Sequence, residues 1–165
     1  MLELRVLTPD DWTLWRDLRL ASLRDAPYAF GSKLADWADA PEQRWRERLD
    51  RPNWHHVAAL HDDRPVGVLT GLPAEEVDVA ELLSFWVSPE ARGQGVVAAL
   101  VGAVETWASD RRAGVLRLTV RSDNARAIAF YRRYGFVDTG RPGHALLGGG
   151  AELIFEKPAQ SVGIG

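Results

Sequence analysis

Apolar residues along the chain follow two different periods, and the change from one to the other marks the predicted elements. Alternating apolar and polar residues, or short apolar runs between turn residues, predict strands, whereas apolar residues recurring every three or four positions predict amphipathic helices. Strands are predicted at 2–7, 54–62, 64–72, 79–89, 114–122, 136–140 and 151–157. Helices are predicted after residue 8, at 41–49, from the Gly-rich stretch that follows residue 89 to about residue 109, and at 124–135.

Two helix boundaries also carry capping residues. Thr8 is suited to cap the first helix, Pro9 to occupy its first position, and Asp11 to complete a capping box. Gly135 follows the last helix and predicts that this helix ends with glycine in the C′ position.

The predicted order of elements, β-α-α-β-β-β-α-β-α-β-β, determines the fold class. A hairpin meander precedes a strand–loop–helix–strand unit, so the sheet must be mixed, antiparallel first and parallel at the crossover. An all-parallel doubly wound fold would alternate strands and helices from the beginning. We therefore predict one α/β (α+β) domain over 1–165, in which 158–165 form a frayed tail with little to bury.

Composition excludes several classes of protein. The chain has 165 residues, 46% of them apolar, which suits one globular domain with a sizeable core. With a formal net charge of −3, the chain has no excess of positive charge for binding nucleic acid, so no nucleic acid partner is expected. The absence of cysteine excludes disulfides, thiolate zinc sites and a cysteine nucleophile, and it suits a reducing cytoplasm. Because no apolar run reaches about 18 residues and the first residues do not resemble a signal peptide, we expect a cytoplasmic protein with no membrane partner.

The stretch "SPEARGQGVVAALVG", residues 88–102, begins as a loop and ends as an apolar helix. The first backbone N–H groups of a helix have no intrahelical acceptor, and the helix dipole favours an anion there. Gly93 and Gly95 would let a phosphate approach this backbone closely, and Arg92 would add positive charge. The alternative is an ordinary Gly-rich turn between a strand and a helix.

A dinucleotide fingerprint is a second interpretation of this stretch. "GQGVVA", residues 93–98, matches G-x-G-x-x-A, but that motif requires its first glycine directly after a strand near the start of a βαβ unit. Here "SPEAR" intervenes and three strands come before. Neither Asp110, which precedes the next strand, nor Asp123, which is too far along, suits the acidic position of that motif.

Two segments together resemble the GNAT superfamily of N-acetyltransferases. "LLSFWVSPEARGQGVVAAL", residues 82–100, resembles its central motif, Arg/Gln-x-x-Gly-x-Gly/Ala after a strand that ends in Val-x-Pro. "VRSDNARAIAFYRRYGF", residues 120–136, resembles its second motif, Asn-x-x-Ala followed by Tyr and then Gly-Phe. The resemblance implies a mostly antiparallel sheet flanked by helices, with a splayed parallel strand pair where acyl-CoA binds. It also implies acetyl-CoA as co-substrate, no metal, and direct transfer of the acetyl group to an amine.

The resemblance assigns a pyrophosphate-binding loop within the first motif. Its members are Arg92, Gly93, Gln94, Gly95, Val96 and Val97. The family normally has Gly or Ala at the position of Val97, so a branched β-carbon is expected beside the cofactor, with an effect on CoA affinity. This departure supports the alternative function, a CoA-binding sensor or regulatory module that has little or no turnover.

The resemblance also implies contacts to the pantetheine arm of the cofactor. Family members bind this arm through the backbone of the strand before the loop, which assigns Phe85 and Val87 with Trp86 between them. Asn124 corresponds to a side-chain contact to the pantetheine. Its position equally favours an N-cap of the following helix, and the two roles are compatible.

Attack of an amine on a thioester needs a base, an oxyanion donor and a proton source. An alkylamine with a pKa near 10.4 is mostly ammonium at pH 7 and must lose a proton to become a nucleophile. The resemblance places Tyr131 at the tyrosine that gives a proton to the departing thiolate, and the Val87 amide as the oxyanion donor. The alternative for Tyr131 is a core tyrosine, and Tyr134 would then be the second candidate for the proton source.

Glu81 is the candidate base, because several family members have a glutamate at the matching point of "A-E-L". It precedes Val87 by six residues, so both side chains share a face unless a bulge near Trp86 changes the parity. The alternatives are a solvated strand-end carboxylate, or a base acting through water from Asp78, Glu75 or Glu76.

Other chemistry is not supported by the sequence. His55 and His56 are adjacent on a strand and face opposite ways, so they cannot chelate one metal together. The amine acceptor cannot be identified from the sequence and could be a small molecule or a protein. The closing strands of this family often pair between subunits, so a homodimer is one expectation.

Overall fold

The computed structural model describes residues 1–27, 33–145 and 150–159. The strands are β1 (Leu2–Val6), β2 (His55–His61), β3 (Arg64–Pro73), β4 (Val79–Val87), β5 (Val115–Arg121), β6 (Val137–Ala145) and β7 (Ala151–Pro158). The helices are α1 (Trp12–Asp25), α2 (Leu34–Trp37), α3 (Glu42–Leu49), α4 (Val96–Asp110) and α5 (Ala125–Arg133). The predicted order is confirmed, and the one-turn helix α2 is the addition. The tail was predicted to begin at residue 158, but Pro158 of β7 pairs with Val115 and Ala159 N donates to Gly114 O at 2.9 Å. The rest of the predicted tail and parts of two predicted loops lie outside the described residues.

The seven strands form one sheet in the order β1-β2-β3-β4-β5-β7-β6. Among the strands that the structure describes, only β4 and β5 pair in parallel, and all other neighbouring strands are antiparallel. The predicted fold class, a mostly antiparallel mixed sheet flanked by helices, is therefore confirmed. No helix in the described part of the chain is long and apolar enough to span a membrane.

Apolar side chains form a core on each face of the sheet. The larger core packs α4, with residues such as Leu100 and Val104, against the sheet, and side chains of α5 border it. The smaller core packs α1 and α3, with Trp15 and Trp45, against the opposite face. Helix α1 packs on β3 and β4 of that face, and the smaller core extends to β2. The β5–β7 half of the same face carries polar side chains such as Arg117.

A bulge interrupts β4 and determines which way its side chains point. Trp86 pairs with Val68 and Leu83 with Thr70, so two residues of β4 stand opposite one residue of β3. Ser84, one of those two, has φ of 57°, which is unusual for a non-glycine residue and is typical of a bulge. The alternation of faces is therefore reversed beyond Ser84.

The parallel pairing of β4 and β5 is short. It covers Val79–Glu81 on β4 and Val115–Arg117 on β5, and the strands separate beyond these residues. Backbone groups at the carboxyl end of β4 consequently face a gap in the sheet. The predicted splayed strand pair is confirmed, and it lies beside the start of α4.

Buried His56 is held neutral by its surroundings. It is 1% exposed, its ring centroid lies 5.3 Å from that of Trp15, and its Nδ1 lies 2.9 Å from Thr70 Oγ1. Burial and then the positive charge of Arg48 lower its pKa to about 4. The folded protein therefore resists protonation of His56 at a pH where the unfolded chain accepts it.

We expect folding stability to fall as pH decreases from 7 toward 4 because of His56. Between its unfolded pKa of about 6.5 and its folded pKa, only the unfolded state takes up the proton, so linkage predicts a loss of about 2 kcal/mol between pH 7 and pH 5. Urea unfolding at the two pH values measures this loss. His56→Asn retains a polar group near Thr70 but does not titrate, so it should lose about 2 kcal/mol less over this range. Equal pH dependence in the two proteins would contradict the assignment.

Candidate active site

The Gly-rich loop ends in a helix N-terminus that no side chain of the described residues caps. Gly93 and Gly95 both have φ of 82°, a left-handed conformation that favours glycine, and Gly95 is the N-cap of α4. The first helical hydrogen bond runs from Ala99 N to Gly95 O at 3.1 Å. The amides of Val96, Val97 and Ala98 precede this bond and have no acceptor within the helix.

The surface over this loop is open. A Cβ atom added at Gly93 or Gly95 would meet no atom of residues 1–27, 33–145 or 150–159 within 4 Å. Positive φ rather than crowding by the protein therefore explains the two glycines, and an anion has room to approach the amides. The loop fits a diphosphate in both its hydrogen-bond donors and its space.

The side chains of Arg92 and Gln94 bond to the protein itself. Arg92 Nε donates to Val87 O at 3.2 Å and its Nη2 to Asp25 Oδ2 at 2.9 Å. Gln94 Nε2 donates to Glu90 O at 3.0 Å. In this structure the guanidinium of Arg92 is directed at the end of β4 and at α1.

The end of β4 presents backbone groups to the gap between β4 and β5. Ser88 N donates to Val66 O at 2.8 Å, so Ser88 is a residue whose backbone faces β3. In an antiparallel pair this direction alternates, so Trp86 also faces β3 while the N–H and C=O of Val87 point toward the gap. An extended ligand in the gap could bond to β4 as an additional strand.

Tyr131 lies at this gap within an aromatic cluster. Its ring centroid is 6.0 Å from that of Phe85 on β4, 5.6 Å from Phe130 and 5.9 Å from Phe136. Burial raises the pKa of Tyr131 to about 12. Tyr131 is therefore protonated at neutral pH and can donate its proton. Tyr134 follows α5, and its ring centroid lies 5.0 Å from that of Phe130.

Asn124 is the N-cap of α5. Its Oδ1 accepts a hydrogen bond from Ala127 N at 3.2 Å, as one of the two sequence interpretations predicts. This bond uses the carbonyl oxygen of the side chain and leaves the amide nitrogen as a donor. The predicted contact of Asn124 with pantetheine is compatible with the cap.

Glu81 lies on the other face of the sheet from Val87. Ala80, Leu82 and Val87 belong to the core beneath α4, because the bulge at Ser84 reverses the alternation between Leu82 and Val87. Glu81 alternates with Ala80 and Leu82 and so faces the side of α1–α3. The sequence left two possibilities for these side chains, a shared face or a parity changed by a bulge near Trp86, and the structure has the bulge.

Glu81 belongs to a network of charges centred on Arg117. Arg117 lies 4.0 Å from Glu81, 3.0 Å from Glu76 and 2.8 Å from Glu156, and its side chain is 12% exposed. Arg141 lies 2.6 Å from Glu156. The hydrogen bond from Arg117 holds the pKa of the Glu76 carboxyl below its usual value. Among these carboxylates, Glu81 has the most distant contact with Arg117.

The model of the Acetyltransferase (GNAT) family matches residues 14–136, which is more than half of the chain. This chain belongs to the GNAT family. It is therefore an acyltransferase, and enzymes of this family use acetyl-CoA as the acyl donor.

Individual relatives of this GNAT chain agree in fold and family. An uncharacterised N-acetyltransferase of Mycobacterium tuberculosis is 34% identical over 105 residues, covering 62% of this chain and 67% of that protein. An uncharacterised N-acetyltransferase of Methanocaldococcus jannaschii is 37% identical over 62 residues, which are 38% of this chain. The matched part is 27%, or about a quarter, of the length of that relative. The PaiA N-acetyltransferase of Thermoplasma acidophilum in complex with coenzyme A has a TM-score of 0.75 and 19% identity, covering 96% of this chain and 99% of that chain.

Val97 is the departure of this GNAT chain from the family motif, and its side chain is 6% exposed within the core beneath α4. The expected placement of its branched β-carbon beside the cofactor stays a prediction. The side chain points into the protein because the first turn of α4 packs on the sheet. The backbone amide remains at the open N-terminus, so the substitution leaves the donor that an anion would use.

Sequence reasoning missed two residues at this GNAT site, Asp25 and Arg117. Arg117 stands beside Glu81 because of the parallel register between β4 and β5, which the sequence does not specify. Asp25 has a weak sequence signal, since an acidic residue at the end of a helix is electrostatically unfavourable and suggests an additional partner.

Proposed function

We propose that this enzyme binds acetyl-CoA at the junction of β4, β5 and α4 and transfers the acetyl group directly to a primary amine. The acceptor belongs to a small molecule or a protein. The observation that carries the proposal is the open helix N-terminus at Gly95, which a short turn connects to the end of β4, the strand that separates from β5. The three free amides of α4 would hold the diphosphate, and the backbone of Phe85 and Val87 would hold the pantetheine arm.

Acetyl-CoA supplies an activated acetyl thioester when it is bound. The Val87 amide, directed into the gap, would donate a hydrogen bond to the acyl oxygen as negative charge develops there. Tyr131 would hold the proton for the departing sulfur, and its high pKa keeps that proton in place until it is needed. Glu81 would accept the proton of the amine from the face that α1–α3 partly cover, directly or through water.

Thiol release from acetyl-CoA over a panel of primary amines tests this function. We expect turnover with at least one amine and tight binding of CoA in calorimetry. CoA binding without turnover on any amine would favour the sensor alternative. The burial of Val97 supports the enzyme over this alternative, because the side chain points into the core and leaves the backbone amide as a donor.

We expect Glu81→Gln to lower kcat/KM for the amine about 10- to 100-fold at pH 7, because a neutral amide cannot accept the amine proton. The Kd of acetyl-CoA should stay within threefold, since Glu81 faces away from the loop that holds the nucleotide. Steady-state kinetics and calorimetry measure the two quantities.

Glu76→Gln is the matched control for the base. Glu76 contacts the same Arg117 but lies before β4, and it should keep kcat/KM within threefold of the wild type. A large loss in Glu76→Gln together with little change in Glu81→Gln would assign the base to Glu76 and overturn the role of Glu81.

A further inference from the structure

The carboxylate of Asp25 connects the first helix to the proposed acetyl-CoA site. Its Oδ2 accepts hydrogen bonds from Trp86 Nε1 and from Arg92 Nη2, both at 2.9 Å. Arg92 Nε also donates to Val87 O at 3.2 Å. Asp25, Trp86 and Arg92, here called the Asp25 cluster, thus join the end of α1 to the end of β4 and the start of the Gly-rich loop.

The negative charge of Asp25 is electrostatically unfavourable at its position unless the Asp25 cluster compensates it. Asp25 is the last residue of α1, where the helix dipole opposes a negative charge. The guanidinium of Arg92 neutralises this charge at a site where the two side chains are 29% and 37% exposed. Trp86 is 8% exposed, and the carboxylate provides the acceptor that a buried indole N–H requires.

We propose that Asp25 is a positioning residue of the acetyl-CoA site, and that Arg92 braces the Gly-rich loop from behind and does not bind the diphosphate itself. Two of the three nitrogens of the Arg92 guanidinium already bond within the protein. Asp25 therefore holds Arg92 against Val87 O and sets the direction in which the loop leaves β4. This role rests on the acetyl-CoA site of the proposed function.

The direction in which Asp25→Asn changes the affinity for CoA shows whether Arg92 supports the loop or binds the diphosphate. Electrostatics alone predicts that Asp25→Asn tightens CoA binding, because it removes a negative charge near a diphosphate and releases Arg92 toward it. A brace predicts the opposite, because the loop loses its support. We expect Asp25→Asn to weaken the calorimetric Kd of CoA 5- to 20-fold. In steady-state kinetics, KM for acetyl-CoA should change by a larger factor than kcat.

Glu90→Gln is the matched control, since Glu90 is an exposed carboxylate two residues before Arg92 and its side chain has no part in the cluster. It should leave the Kd of CoA unchanged or slightly lower. An Asp25→Asn protein that binds CoA as tightly as the wild type, or more tightly, would overturn the positioning role. A wild-type protein that binds no CoA would overturn the proposed function itself and this role with it.

A double-mutant cycle tests whether Arg92 acts through Asp25. If it does, Arg92→Gln should weaken CoA binding by a similar factor in the wild type and add less than twofold in the Asp25→Asn background. A full additional loss in that background would assign Arg92 to direct contact with the diphosphate.

If Asp25→Asn folds too poorly to titrate, Trp86→Phe removes one bond of the cluster and retains an aromatic side chain in the core. It should weaken the Kd of CoA two- to fivefold, and an unchanged Kd would overturn the role of the cluster.

Discussion

Tyr131→Phe should lower kcat about 100- to 1000-fold while leaving the Kd of acetyl-CoA within threefold. Phenylalanine preserves the ring that packs against Phe85, Phe130 and Phe136, so the site keeps its shape and loses only the hydroxyl. Proton transfer from a positioned acid contributes on the order of 10²- to 10⁴-fold to such a reaction. A pKa of about 12 also means that Tyr131 keeps its proton through pH 10, so its titration should not limit kcat at any lower pH.

Tyr134→Phe is the control for this substitution, because it removes the same hydroxyl three residues further along and its ring contacts Phe130 but not Phe85 among the described ring pairs. Thiol-release kinetics should show kcat within twofold of the wild type. If Tyr131→Phe retains a third or more of wild-type kcat, Tyr131 is a packing residue. If Tyr134→Phe instead loses activity, the proton source is Tyr134.

Gly95→Glu should weaken CoA binding on the order of 100-fold. The new carboxylate would lie beside the free amides of α4 and would both repel the diphosphate and compete with it for these donors. Two unit charges at 4 Å interact with about 1–4 kcal/mol between bulk water and a protein surface, and each 1.4 kcal/mol is a factor of ten in Kd. Because φ of Gly95 is 82°, we also expect a strain of about 1–2 kcal/mol and a Tm lower by several degrees.

Gly102→Glu adds the same charge to the same helix and serves as the control. Gly102 is exposed in α4, and a Cβ added there would contact no atom in the described part of the chain. It lies about 10 Å beyond the start of the helix, close to one Debye length in physiological salt. Its Kd for CoA should stay within threefold of wild type, and its Tm should be equal or higher. Similar affinities for Gly95→Glu and the wild type would contradict the assignment of the loop.

Much of the fold could be predicted because the capping residues at helix ends agree with the helices and strands that the apolar pattern predicts. Thr8 N donates to Asp11 Oδ2 at 2.9 Å, as the capping-box spacing predicts, although the segment Pro9–Asp11 is a 3₁₀ turn before α1. Gly135 has φ of 93° directly after the C-cap of α5, as its position predicts. Helix α2 was missed because a single turn is too short to show a period.

The sequence predicts which residues form the site better than it predicts where their side chains point. The Gly-rich loop and the N-cap role of Asn124 follow from spacing and capping chemistry, and the gap beside β4 follows from the resemblance to the GNAT superfamily. The face of Glu81 does not follow from the sequence, because it depends on whether β4 contains a bulge near Trp86, and serine at the left-handed position 84 gives no signal that decides this. The orientation of Arg92 depends on Asp25, which is distant in sequence and reaches it only through the packing of α1 on β4.

The most direct test of the acetyl-CoA site is the structure of the complex with acetyl-CoA. We expect diphosphate oxygens within about 3.2 Å of amide nitrogens in the segment 93–98, with the pantetheine arm in the gap beside Val87. A nucleotide bound at another place on the protein, or no CoA retained at saturating concentration, would contradict this account.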